Sequence, residues 1–307
     1  MEFMDGNLDK YIEKLKDNLF IKLECEEREK VEDQLKQIEK ISEVLAKQIG
    51  ANGIQLKFND DTKISLYSEL KKSDSKIGVI HCSRLFIIAN YQMFYQMDFS
   101  NIVTDGKNIE YIKMLMFDMS MMCMFFHEMA HIYRGHLELY SQWKKENSIE
   151  RHTLDIQTLE WDADSFAATK MAEWIVGVNN NKEILQADNT DFAMKIACGA
   201  IHGMMYWQRT AKDFKKIDQK EHPPVFYREA SILKCITELL PDTKHIVRYV
   251  TEYEKEFNRV WEIKTKDIGQ YFQSSAENSE YMNRIEENWE KVKSMLQKYA
   301  VFPLDDK

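Results

Sequence analysis

"FFHEMAHIYRGH", Phe125 to His136, sets three histidines and a glutamate at the edge of the most apolar run in the chain. That run, Met114 to Phe126, is interrupted only by Asp118 and small polar residues and ends at once in His127 and Glu128. It is too short and too polar at its edges to span a bilayer, so it reads as a buried helix. Buried histidine and glutamate are costly unless something pairs with them. In a helix, His127 and His131 lie four positions apart and project from one face. Both imidazoles can then reach a single ion, while Glu128 sits on the adjacent face, within reach of water at that ion. This is the physical content of HExxH as a zinc site with a general base. Read structurally instead, the same residues are histidines hydrogen-bonded within a core.

Two histidines do not complete a catalytic zinc site, which takes three protein ligands. Along a continuous helix, His136 falls about 140° round from His131, so it is expected to point away. The pattern that would place a third histidine six residues after His131 has Leu137 there instead. The third ligand is therefore expected downstream, in "LEWDADSFAATK", residues 159–170. Glu160 is the candidate. Asp164, one turn further on the same face, is placed to accept the second ring N–H of a ligating histidine. Ala163, Ala167 and Ala168 give that helix a small-residue surface for close packing, and Asp162 reads as a solvated charge.

Outward from this core the chain is mostly helical. Three- and four-residue hydrophobic spacing predicts helices over 8–49, 108–140, 150–178, 183–212, 225–240, 243–271 and 277–299. Pro223 and Pro224 open the 225–240 helix. Between Gly53 and Asn90 the character changes. "GIQLKF", "KISLYS", "KIGVIHCS" and "RLFIIAN" are short and rich in Ile, Val and Phe, and turn clusters lie among them. They predict three or four strands of one small sheet. The fold class expected is α+β, mostly α: a core with a small sheet preceding the HExxH helix, flanked by further helices. The divisions expected are an N-terminal helical arm or hairpin (1–50), a catalytic domain (51–240) and C-terminal helices packing on it (241–307). The methionines between Met114 and Met124 read as adaptable core filler.

Composition narrows the partners. A net charge of −9 argues against generic binding to nucleic acid or to an anionic membrane surface. The cysteines, Cys25, Cys82, Cys123, Cys198 and Cys235, are odd in number and form no CxxC. With a charged N-terminal stretch lacking an apolar signal segment, they point to a reduced, cytoplasmic setting.

HExxH followed by ExxAD on a second helix resembles the gluzincin metallopeptidases. "HEMAHIYRGH", "EWDADSFA" and "HPPVFYRE" (His222–Glu229) are similar to segments of the HtpX-like family. "EWDADSFA" also resembles the ImmA/IrrE-like family, and a relative of the Lit-like phage-exclusion peptidases fits a chain without transmembrane helices. The resemblance covers roughly residues 110 to 230. It implies a zincin-like core in which His127, His131 and Glu160 hold Zn²⁺ and Glu128 serves as general base in endopeptidase chemistry on a polypeptide substrate. His222, held extended by Pro223, and Arg228 are candidates to stabilise an oxyanion. His202 in "CGAIHGMMYW" is a third, though its setting suits a core histidine equally. The substrate is expected to be either one specific cellular protein, with regulation by a protein partner, or unfolded chains in general. A different outcome is a catalytically silent module of the same fold that recognises a partner.

Overall fold

A computed structural model describes residues 33, 36, 40, 54–59, 65–71, 74–102, 108–180, 190–206, 222–240, 245–261 and 275–304. The helix expected over 8–49 lies outside these residues, apart from Asp33, Lys36 and Lys40, each of which is helical. The chain divides into two units, Met1–Gln96 and Met97–Lys307.

In the first unit, β1 (Gln55–Asn59), β2 (Leu66–Lys71) and β3 (Asp74–Ser83) form a three-stranded sheet in the order β1-β3-β2. β2 runs antiparallel to β3, pairing Leu66 with Cys82, and β1 runs parallel to it, pairing Gln55 with Val79. The central strand carries the apolar run, and Val79, Ile80 and Cys82 are buried. "RLFIIAN", expected as a strand, is helical instead, within α1 (Arg84–Tyr95). Ser83 makes the switch: its hydroxyl accepts the Phe86 N–H at 3.1 Å, an N-cap that starts a helix where the strand would continue. Phe86, Ile87, Asn90, Tyr91 and Phe94 then recur at helical spacing and are buried.

The second unit is helical among its described residues. α2 (Ile109–Tyr133) starts at Asn108, whose side chain accepts the Glu110 N–H at 3.0 Å. It is buried almost all round between Leu115 and Tyr133, as a helix apolar on every face must be, and Met116, Met119, Met121, Met122 and Met124 fill its surroundings. α3 (His136–Lys145), a short 3-10 turn (Ile149–His152), α4 (Thr153–Asn180), α5 (Thr190–Tyr206), α6 (Val225–Leu239), α7 (Ile246–Trp261) and α8 (Ser275–Leu296) follow. α2 packs on α4 and α5, α6 on α4, α7 on α5, and α8 on α4. Trp161 and Trp289 meet edge to face at 6.0 Å where α8 crosses α4. At Gly199 the packing is closest. A side-chain carbon there would lie 2.6 Å from Tyr253 Cζ and 2.8 Å from Met116 Cε, so only glycine lets α5 fit between α2 and α7.

The helix expected over 108–140 is two helices. The break falls at Arg134 and Gly135, where Gly135 adopts φ +80°. Tertiary contacts enforce it. The backbone N–H groups of Val301 and Phe302 donate to Tyr133 O at 2.7 and 3.1 Å, replacing the helical partner that carbonyl would otherwise need. A Cβ on Gly135 would sit 2.5 Å from Tyr299 Cβ. Among the described residues, no helix is long and apolar enough to cross a membrane, and Cys123 and Cys198 are buried free thiols.

Candidate metal centre

The last two turns of α2 face the second and third turns of α4. Ala130 on one helix and Ala163, Ala167 and Ala168 on the other are fully buried, and small side chains of this kind allow close approach. His127 and His131 from α2 and Glu160 from α4 converge there. His127 Nε2 and His131 Nε2 lie 3.0 Å apart. Glu160 Oε1 is 3.4 Å from His131 Nε2, and Glu160 Oε2 is 3.5 Å from His127 Nε2. Ligands about 2.0–2.1 Å from a tetrahedral zinc stand about 3.3–3.4 Å from one another. The two carboxylate separations, one to each oxygen, are close to that edge length and the imidazole pair stands slightly inside it; among the described residues this trio is the group whose ligand atoms come together in this way.

The remaining ring nitrogens are also engaged. Asp164 Oδ1 lies 2.9 Å from His127 Nδ1, and Arg228 holds Asp164 with Nε and Nη2, each at 2.8 Å. His131 Nδ1 faces His136 Nδ1 at 3.1 Å, and His136 Nε2 faces Asp162 Oδ2 at 3.1 Å. Arg134 donates to Asp162 through Nε at 2.6 Å and Nη2 at 3.0 Å. Two expectations are corrected here. His136 does not point away, because the helix on which that angle was counted ends at Tyr133 and the chain turns at Gly135. Asp162 is not a solvated charge: it is 2 % exposed and paired.

The electrostatics are those of a crowded anion and two imidazoles. Burial pushes the Glu160 carboxyl up, but His222, His131 and His127 outweigh it and hold it well below the usual carboxylate range. Burial and Arg228 oppose a charge on His127, yet Asp164 and Glu160 prevail and raise it to about 9. Burial drives His131 well below its ordinary value and so disfavours a charge on that ring. Glu160 Oε2 is buried without a hydrogen-bond partner among the described residues; His222 Nδ1 lies 3.0 Å away but out of alignment, and is likewise unsatisfied. A buried carboxylate that faces His131 Nε2 with one oxygen, and His127 Nε2 with the other, unsatisfied one, completes a donor set that suits a divalent cation.

Glu128 is buried, 6 % exposed, and its charge acts on Arg228. His222 stands just before α6 with its side chain 41 % exposed, the most open member of the group. Arg228, 8 % exposed, directs its guanidinium at Asp164, with Nη2 3.4 Å from His127 Nδ1. His202 is not part of the cluster. It is fully buried, with Nδ1 2.8 Å from Glu229 Oε1 and Nε2 2.9 Å from Glu254 Oε2, so both ring nitrogens face carboxylates of α6 and α7. The residues that sequence reasoning missed are Arg134, Asp162 and His136. The available signal was Gly135, a residue type that commonly ends helices in the left-handed conformation. No protein-family model, curated protein or solved structure matches this chain.

Proposed function

We propose that the chain is a zinc-dependent endopeptidase of the gluzincin type, with His127, His131 and Glu160 as the metal ligands. The observation that carries this reading is the convergence of three side chains from two packed helices: the two Nε2 atoms lie 3.0 Å apart, one Glu160 oxygen lies 3.4 Å from His131 Nε2, and the other lies 3.5 Å from His127 Nε2. The donor set, two histidines and a glutamate, is one used by hydrolytic zinc sites. Bound there, zinc supplies Lewis acidity that polarises a carbonyl and makes water a stronger acid.

The chain's own groups do the rest. Glu128 takes a proton from water as the water oxygen forms the new C–O bond, and then delivers that proton to the leaving amine as the peptide C–N bond breaks. Asp164 accepts the Nδ1–H of His127 and so keeps Nε2 free as a ligand, and Arg228 fixes Asp164 in turn. His222, open to solvent and adjacent to Glu160, is the donor placed to meet the developing oxyanion. Arg228 is the weaker candidate for that task, because Asp164 already occupies two of its donors.

Elemental analysis of protein purified without added metal tests the first half. About one zinc per chain is expected, lost in His131→Ala; a metal-free wild type rejects the reading. Glu128→Gln tests the second half. It should retain zinc and lose cleavage of an unfolded-protein substrate. Zinc retained with no hydrolysis even in the wild type would favour a silent zincin-like module that binds a partner.

A further inference from the structure

We infer that His136, Asp162 and Arg134 form a positioning relay that fixes the tautomer of His131, and that the segment following α8 anchors it. The inference rests on His131 being a metal ligand through Nε2, and adds residues to which that reading gives no role.

The proton count leaves one consistent arrangement. A neutral imidazole has one donor and one acceptor nitrogen. If His131 binds through Nε2, its proton is on Nδ1, which faces His136 Nδ1 at 3.1 Å. His136 must accept there, so its own proton is on Nε2, which faces Asp162 Oδ2 at 3.1 Å. Asp162 accepts because it is a carboxylate, and Arg134 holds it in that form through both oxygens. The third guanidinium nitrogen, Nη1, donates to Pro303 O at 2.7 Å. The relay thus ends on the same segment whose Val301 and Phe302 N–H groups cap Tyr133 O.

The break in the helix is what makes the relay. On a continuing helix His136 would be carried round to another face. The φ of +80° at Gly135 turns the chain back, so that His136 meets His131 while still starting α3. The two ligands are then supported differently. His127 has a carboxylate directly on its Nδ1, and His131 has a neutral imidazole between it and the carboxylate. A carboxylate raises the basicity of a ligand histidine, so the interposed ring makes His131 the softer-held of the two and leaves its orientation dependent on His136.

Three measurements on the full chain test this. In zinc-loaded wild-type protein labelled with ¹⁵N, long-range ¹H–¹⁵N correlation should show His131 protonated on Nδ1 and His136 on Nε2, both neutral. A His136 proton on Nδ1 overturns the relay without any variant being made. Chelator competition then measures affinity. His136→Leu removes both contacts and should weaken zinc binding about 10–100-fold, whereas His136→Gln, whose amide offers an acceptor and a donor on one planar group, should stay within about threefold of wild type. Cobalt substituted for zinc should show a shifted d–d spectrum in His136→Leu and a wild-type spectrum in His136→Gln. Equal zinc affinity in wild type and His136→Leu overturns the relay alone. A wild type that binds no zinc overturns both the relay and the metal site.

Discussion

Lys291 on α8 reaches Asp155 on α4 through both carboxylate oxygens, at 2.6 and 2.8 Å. Asn288 adds a third contact at 2.9 Å, and His152 a fourth at 2.7 Å. This buried carboxylate is the polar counterpart of the Trp161–Trp289 contact, and together they fix α8 to the helix that carries Glu160.

The clamp gives a pH dependence with a definite sign. Burial pushes the Asp155 carboxyl up, but His152, Lys291 and Asn288 outweigh it and hold it below the usual range. A group whose folded pKa is depressed adds stability above its unfolded value, about 3.9, and loses it as pH falls through the folded value. The thermal midpoint of wild type should therefore drop on acidification below about pH 4. Asp155→Asn should start lower at pH 7 and lose less over the same interval. Parallel acid limbs in the two proteins would contradict this. Lys291→Met should matter less, because its side chain is 59 % exposed and solvent screens the pair.

Gly135→Ala should be costly. Alanine is strained at φ +80°, and its Cβ would lie 2.5 Å from Tyr299 Cβ, against backbone and side-chain root rather than a flexible tip. A loss of about 1–3 kcal/mol is expected from the strained conformation, measured as a shift in urea midpoint. The same variant should bind zinc more weakly, because it disturbs the turn that brings His136 to His131. Full zinc affinity in a destabilised Gly135→Ala would show that the turn serves the fold alone.

These two sites show what the sequence could and could not convey. Glu160 and Asp164 were readable because a helix face is a local property: spacing alone puts both carboxylates on one side. Asp162 and His136 were misread because their environments are tertiary. Nothing within ten residues of Gly135 says that Val301 and Phe302 will cap Tyr133, and that contact decides where α2 stops. "RLFIIAN" failed for the opposite reason. Its apolar run fits a strand or a helix equally, and a single hydroxyl, that of Ser83, tips the balance. His202 sat in a sequence setting compatible with either a core or a site, and only its two carboxylate partners, from helices distant in sequence, distinguish them.

Removing metal should be visible in stability as well as in activity. A ligand that binds only the folded state adds about 2.7 kcal/mol at a hundredfold excess over its Kd. A strong chelator should therefore lower the thermal midpoint of wild type and leave His131→Ala and Glu160→Ala unmoved. Glu128→Gln should respond as wild type does, since Glu128 is assigned to proton transfer rather than to ligation. A chelator effect of equal size in His131→Ala would place the responsive ion elsewhere in the molecule.

His202 separates fold from chemistry. It is completely buried, and its two nitrogens face Glu229 and Glu254, themselves 3 % and 6 % exposed. Removing one member of a buried charged group costs about 3–5 kcal/mol, because the remaining charges stay desolvated. His202→Leu should lower the unfolding free energy by that amount, whereas replacing His202, Glu229 and Glu254 together by apolar residues should restore much of it. Zinc affinity and the KM of a peptide substrate should not change in His202→Gln, which keeps hydrogen-bonding groups at the same place. A selective fall in kcat for His202→Gln, with KM and stability intact, would return His202 to the reacting groups and contradict the enclosed position found for it.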